Sequence, residues 1–308
     1  MIAAYNAVMT QPTREPRNTT IRGIVLLVVA TVVFALQDAT TKQLTNLLPV
    51  AQIVFVRFTA FTVLVLIIVR MRMPIGKALR SKVPGKQILR CLMMCAEVSL
   101  FTYALRYIGV AEMHAIFSCF PLFIVALSVP VLGETVGWRR WSAVGVGFIG
   151  TLIILRPGSG VFEPAALLAI LCALVYALYN LMTRLVSRYD KFETSLLYFG
   201  LVGMVASAVP AALVWQVPKG QAAWLLAAVC LCSMTSHLLL IKSLELAEAN
   251  VLQPFNYLIL VWAMLMGWGF YGEVLDAYAI AGAALVVAGG LYVGFREAQA
   301  AKAVPEKT

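Results

Sequence analysis

The sequence predicts an all-α polytopic membrane protein, with ten transmembrane helices arranged as two inverted five-helix repeats. Three observations predict it: an extreme apolar composition, helix-length apolar segments separated by short punctuators, and a likeness between the two halves of the chain. Of the 308 residues, 62% are apolar and 12% charged, and the mean hydropathy is +0.90. Soluble domains carry about 25% charged and about 45–50% apolar residues. So few charged groups cannot cover a 33.5 kDa globule in water, so the chain's solvent is largely lipid.

The net charge of +10 raises the question of nucleic acid. The basic residues flank apolar segments and form no aromatic-interleaved patch, so they read as topology determinants, and no nucleic acid partner is expected. Cys91, Cys95, Cys119, Cys172, Cys230 and Cys232 all fall in apolar stretches without a metal-like set of His or carboxylate neighbours. They read as small hydrophobes, and neither disulfides, a metal nor a cofactor is expected. Residues 1–21 contain Arg14, Glu15 and Arg17 and no early apolar core, so they read as a polar leader on the cytoplasmic side and not as a secretory signal.

A helix needs about 20 apolar residues to cross roughly 30 Å of hydrocarbon. Ten segments qualify: Arg22–Leu44, Val50–Val69, Gln87–Arg106, Glu112–Leu132, Arg140–Leu155, Pro164–Arg184, Glu193–Trp215, Ala222–Leu244, Asn250–Tyr271 and Ala277–Phe295. Pro49, Pro74, Pro84-Gly85, Gly133, Pro157-Gly158, Pro218 and Gly272 punctuate them, leaving no room for a soluble domain. Alternating the connections between sides places 18 Lys and Arg residues on the side of both termini and 4 on the other, with Arg57 and Lys242 inside spans. By the positive-inside rule both termini are expected in the cytoplasm of a cell with a bacterial-type inner membrane.

Shifted by 139 positions, Ala104-Leu105 falls on Ser243-Leu244, Gly133-Glu134 on Gly272-Glu273 and Gly150 on Gly289. Shifted by 142, the run from Phe34 to Lys42 falls on that from Tyr176 to Arg184. The halves, 22–155 and 164–295, are joined by a linker at 156–163, and a tail occupies 296–308. Five spans is an odd number, so the second half enters from the opposite face, an arrangement that lets two similar units expose one site to each side in turn.

Gly133-Glu134 and Gly272-Glu273 after the fourth and ninth segments, and the run from Trp138-Arg139-Arg140-Trp141 to Gly150, resemble the drug/metabolite transporter superfamily in its EamA-type members. The likeness covers Arg22 to Phe295. Asp38 with Lys42, the Val56-Arg57-Phe58 step and Arg90 also resemble the branch that contains bacterial S-adenosylmethionine uptake carriers. The resemblance implies the fold and a transport activity. It leaves the substrate open, because one scaffold hosts many cargoes.

Ionisable groups inside the bilayer are costly, so each is a site candidate. Asp38 shares a helix face with Phe34, Gln37 and Thr41. The repeat sets Asn180, with Tyr176 and Tyr179, against it. Asp38 reads either as a receptor for a substrate ammonium or a proton, or as half of an Asp38–Lys42 pair at spacing four. Arg57 and Glu97 lie deeper and read as a pair, serving as gate or clamp, or else Arg57 holds a substrate carboxylate. His114 and His237 are core residues or proton carriers, with His237 the better carrier because Ser236 and Lys242 share its helix. Gln253, Asn256 and Tyr257 beside Pro254, and His114 and Ser118 beside Pro121, form polar stripes where proline frees a backbone carbonyl. Tyr103, Phe117, Tyr176, Tyr179 and Trp262 are the expected aromatic walls of a central chamber. Glu134 and Glu273 read as structural, satisfying amides at a helix start. Gly145, Gly147 and Gly150 match a dinucleotide fingerprint, but no strand precedes them, so they read as helix packing, as do Gly282, Gly289 and Gly290. Asn18-Thr19-Thr20 matches a glycosylation acceptor on the cytoplasmic side and is read as meaningless.

The leading function is secondary transport of a small organic metabolite by alternating access, the aromatic walls and opposite charges favouring an amino acid, S-adenosylmethionine or another zwitterion. The alternative is efflux of hydrophobic or aromatic compounds. An intramembrane enzyme lacks an HExxH or a persuasive Ser-His-Asp set, and a channel lacks a polar ring. Expected partners are the small-molecule substrate, the lipid bilayer and a coupling proton. Lipid-facing and partner-facing surfaces read alike, so no oligomeric state is assigned.

Overall fold

A computed structural model describes residues 17–133, 137–155, 165–247 and 249–302. They form helices and connecting turns, with no strand among the described residues. In chain order the helices are α1 Arg17–Thr45, α2 Val50–Arg72, α3 Ile75–Ala78, α4 Pro84–Ala104, α5 Val110–Phe117, α6 Phe120–Leu132, α7 Trp138–Leu155, α8 Ala165–Val186, α9 Phe192–Leu213, α10 Gln221–Leu246, α11 Ala249–Asn256, α12 Leu258–Tyr271 and α13 Ala277–Lys302. Six stretches are long and apolar enough to cross a bilayer: Thr19–Thr45, α2, the joined pair Val110–Leu132, α8, α9 and α10. Val144–Leu155 and Ala277–Tyr292 are shorter apolar helices. The chain is an all-helical, multi-pass membrane protein.

Two joints interrupt otherwise continuous rods. Pro121 follows the turn at Ser118-Cys119 between α5 and α6, and Pro254 precedes the turn at Tyr257 between α11 and α12. A proline cannot donate to the helix ladder, so each joint leaves a carbonyl available to another partner. Both interrupted rods end alike. Gly133 (φ +68°) and Gly272 (φ +66°) adopt the left-handed conformation, and their N–H groups return to Val129 O at 3.0 Å and Trp268 O at 2.9 Å. Only glycine takes that conformation without cost, which explains the residue at both stops.

Helices in lipid associate by close packing more than by apolar burial. α1 packs on α10 and α12, α4 on α8, α2 on α9, and α7 on α13. At the α7–α13 crossing backbones touch: a Cβ on Gly150 would lie 2.7 Å from Gly282 O, and one on Gly282 2.5 Å from Gly150 O. Gly203 likewise admits the Phe58 ring to α9. Leu27, Ile53, Leu105, Ile116, Leu181 and Leu197 are fully enclosed. Val25, Val29, Ile67, Val205, Val209 and Leu231 face outward, as lipid-facing residues do.

Candidate functional site

Polar groups from α1, α2, α4, α5, α8 and α10 meet inside the bundle. Asp38 is 8% exposed. Its Oδ2 accepts from His114 Nε2 at 3.0 Å, and its Oδ1 accepts from Gln37 Nε2 at 3.2 Å. Where the carboxylate is ionised it only accepts, and Nε2 then carries the His114 proton. The intrahelical Asp38–Lys42 pairing does not form. Lys42 lies at the end of α1 and reaches another partner, described below. The Gln37 acceptor Oε1 is buried without a hydrogen bond, as is the Trp262 donor Nε1 on α12.

Arg57 is half-buried on α2, with Asp38, Glu97 and Cys230 as its electrostatic neighbours. Glu97 on α4 is 4% exposed and has Arg57 and Asp38 as its own. Among the described residues neither side chain makes a hydrogen bond, and no carboxylate lies within 4.0 Å of the guanidinium. The expected Arg57–Glu97 clamp is therefore absent as a direct ion pair, and two opposite charges stand in one neighbourhood without touching.

Aromatic rings line this neighbourhood. Phe101 meets Phe117 at 5.5 Å, Phe117 meets Tyr176 at 5.3 Å, and Tyr176 stacks with Tyr179 at 6.0 Å. The His114 imidazole stands edge-on to Phe101 at 5.5 Å. Both tyrosines have Glu97 among their electrostatic neighbours. On α10, His237 Nδ1 donates to Ser233 O at 2.7 Å, and its ring packs edge-on against Phe34 and Phe61 at 5.2 and 4.9 Å. His114, not His237, is the histidine that faces a carboxylate.

Other expected site residues are placed differently. Tyr103 is 41% exposed and its hydroxyl accepts from Tyr107 at 3.0 Å. It sits two positions beyond Phe101, about 200° around α4, and so faces away from the aromatic line. Asn180 Nδ2 donates to Tyr176 O at 2.7 Å and Ser118 Oγ to His114 O at 2.7 Å, both within one helical turn. Asn256 and Tyr257 are half-buried at the α11–α12 joint, where glycine at 290 makes room for the Tyr257 hydroxyl. The Gln253 side chain and Glu134 lie outside the described residues.

The model of the EamA-like transporter family matches residues 21–156 and again 163–295. The chain belongs to the EamA-like transporter family. Its members are transporters, not enzymes. Among curated relatives, the riboflavin transporter of Vibrio cholerae is 31% identical over 78% of this chain and 81% of its own. The S-adenosylmethionine uptake transporter of Rickettsia prowazekii is 27% identical over 91% and 94%. The pseudopaline exporter of Pseudomonas aeruginosa is 28% identical over 86% and 93%. A solved crystal structure shares the fold with a TM-score of 0.62 at 18% identity, over 92% of this chain and 98% of its own.

This EamA-like transporter also contains two networks whose long-range partners the sequence reading did not give, although Glu273 does satisfy a helix-start amide as expected. Lys42 Nζ donates to Glu273 Oε1 at 2.5 Å and to Ile108 O at 2.9 Å, while Glu273 Oε2 accepts from Val110 N at 2.8 Å. Glycines at 109 and 267 leave space for that carboxylate. One glutamate thus ties α1 and the α12–α13 turn to the first amide of α5, where a negative charge also suits the helix dipole. At the other end of the bundle Arg90, 2% exposed, donates to Gln87 Oε1 at 2.9 Å, to Ser195 O at 2.8 Å and to the Tyr179 hydroxyl at 3.3 Å. Gln87 donates onward to Asp190 at 3.0 Å. Arg90 therefore joins α4 to α8 and α9. Gln87, Arg90, Glu97 and Phe101 lie at three- and four-residue multiples on one face of α4, a spacing that carried the signal.

Proposed function

We propose that the chain carries a small organic zwitterion across the inner membrane by alternating access. The observation that carries this reading is the Arg57–Glu97 arrangement: opposite charges, Glu97 buried and Arg57 half-buried, not satisfied by one another, beside a line of aromatic rings. A carboxylate or phosphate of the substrate meets the guanidinium fork, its cationic group meets Glu97, and a ring or apolar body lies along Phe117, Tyr176 and Tyr179. Gln37 and Trp262 supply an unmet acceptor and donor. Amino acids and S-adenosylmethionine fit this description. The aromatic line also keeps efflux of ring-bearing compounds as a second reading.

The architecture we propose is ten spans in two inverted units, 22–155 and 164–295, with both termini cytoplasmic. In its favour stand the twofold family match, the two interrupted rods ending in the same glycine conformation, and corresponding packing in the halves: α1 on α10 mirrors α8 on α4, and α12 on α1 mirrors α6 on α8. The Lys42–Glu273 seam closes one face, and the Arg90 network closes the other. Asp38 with His114 is the site we assign to a coupling proton, because a carboxylate and an imidazole, each able to carry one, meet there inside the bundle. Direction of transport follows the gradients, in keeping with relatives named for both uptake and export.

The test is transport in proteoliposomes with a radiolabelled panel of amino acids, S-adenosylmethionine, flavins and aromatic drugs. At least one zwitterion is moved by the native protein and lost in Arg57→Gln and Glu97→Gln. A panel in which both variants match the native protein overturns the assignment.

A further inference from the structure

The stretch from the end of α2 to the start of α4 carries Arg70, Arg72, Lys77, Arg80, Lys82 and Lys86 without one acidic residue. All six are exposed. Arg72 alone is neutralised, by Glu245 and, at 3.9 Å, by Glu193. Among the described residues no carboxylate lies within 4.0 Å of the other five side-chain cations. The Asp190 carboxylate, which meets the backbone of this stretch, is 8% exposed and turned inward onto Gln87, the Ser81 hydroxyl and the Lys82 N–H. Orienting topology needs charge but no fixed shape, and this stretch has a fixed shape. The Tyr198 hydroxyl donates to Leu79 O at 3.1 Å, Lys82 N donates to Asp190 at 2.7 Å, and Lys86 lies over the Tyr189 ring at 5.8 Å. Met71 (82% exposed), at the end of the membrane-crossing α2, and Leu79 (43%), just after α3, present apolar surface among the cations.

We propose that this face docks the headgroups of anionic phospholipids. A phosphodiester is an anion that Arg70 and Arg80 can grip in forked geometry while Lys77, Lys82 and Lys86 supply further charge. Met71 and Leu79 lie against acyl chains, which a free phosphate does not have. The surface is held in place before lipid arrives, so little ordering cost opposes binding. Through Asp190 it is fastened to the turn between α8 and α9, next to the Arg90 network, so a docked headgroup also holds that seam together. The inference does not depend on the substrate proposed above.

The test uses the full chain in a neutral detergent, titrated with short-chain phosphatidylglycerol and read by native mass spectrometry and intrinsic tryptophan fluorescence. Phosphatidylglycerol binds, and binding weakens at high salt. The Lys77→Gln/Arg80→Gln/Lys82→Gln/Lys86→Gln variant loses at least tenfold in affinity, since each cation near an anionic surface contributes about fivefold. Arg106→Gln/Lys219→Gln, which lies outside the patch, keeps native affinity. Unchanged thermal unfolding of the quadruple variant without lipid shows that it folds, as expected for exposed side chains. Native affinity in the quadruple variant, equal binding of phosphatidylcholine, or competition by inorganic phosphate at the lipid's own concentration overturns the proposal.

Discussion

Asp38 shows how far a single residue is legible. Its intramembrane charge marked it in the sequence, but the polar partners offered by spacing along α1, Gln37, Thr41 and Lys42, were all local; Gln37 does donate to it, while the partner from another helix, His114, lies 76 positions away on α5. Sequence spacing reports neighbours on one helix and is blind to what another helix brings, and for the same reason Lys42 was assigned to Asp38 when Glu273 holds it. Asp38→Asn keeps the shape but removes a charge-assisted hydrogen bond, so it should cost about 1.5–3 kcal/mol in thermal unfolding and lower transport at least tenfold. His114→Ala should produce the same transport defect, and a transport-competent Asp38→Asn protein would remove Asp38 from the site. Glu273 allows a sharper test. Reversing the pair as Lys42→Glu/Glu273→Lys restores opposite charges but leaves the Val110 amide without its acceptor. The double variant should therefore remain about 1–3 kcal/mol less stable than the native chain, where a simple ion pair would be rescued.

At the scale of elements the sequence was far more informative, because helix ends are set by local chemistry. α2 starts at the expected Val50 and α13 at Ala277, while α7 and α8 begin within two residues of expectation. Gly133 and Gly272 stop their rods where predicted. The joints in Val110–Leu132 and 249–271 were signalled by Pro121 and Pro254 but read as continuous spans, since a proline in lipid is compatible with either a kink or a break. Helix pairing was not legible, because apolar faces look alike whether they meet lipid or protein, with one exception. Of the glycines read as packing surfaces, Gly150 and Gly282 bring α7 and α13 into backbone contact and Gly147 and Gly290 admit Leu122 and Tyr257, but Gly145 faces open space and is no packing glycine. Gly150→Val should therefore separate the two helices, lowering stability by about 1–3 kcal/mol, whereas the same change at Gly145, which has open space beside it, should be nearly silent in thermal unfolding. Arg90→Lys tests the opposite seam: a point charge cannot reproduce the fork that reaches Gln87, Ser195 and Tyr179, so a loss of similar size is expected despite the retained charge.

At the scale of the whole molecule, the architecture we propose sets one charged centre between two polar seams, and that arrangement separates a carrier from a channel. In the architecture we propose, opening the Lys42–Glu273 face to the centre requires the Arg90 face to stay shut, and the reverse. The substrate therefore crosses only when the protein changes shape, and the return of an empty carrier is a separate step from the return of a loaded one. Vesicles preloaded with unlabelled substrate should consequently take up labelled substrate faster than empty vesicles do, because exchange replaces the empty return. A continuous pore has no return step and would show no such acceleration. Breaking one seam biases the cycle without removing the binding groups. Glu273→Gln should therefore keep substrate protection at the centre while net transport falls, and the stimulation by internal substrate should shrink with it. Measured side by side, native and Glu273→Gln vesicles distinguish a gate from a brace: if the seam only braces the fold, transport and stimulation fall in strict proportion to the amount of folded protein, and the ratio between them stays fixed.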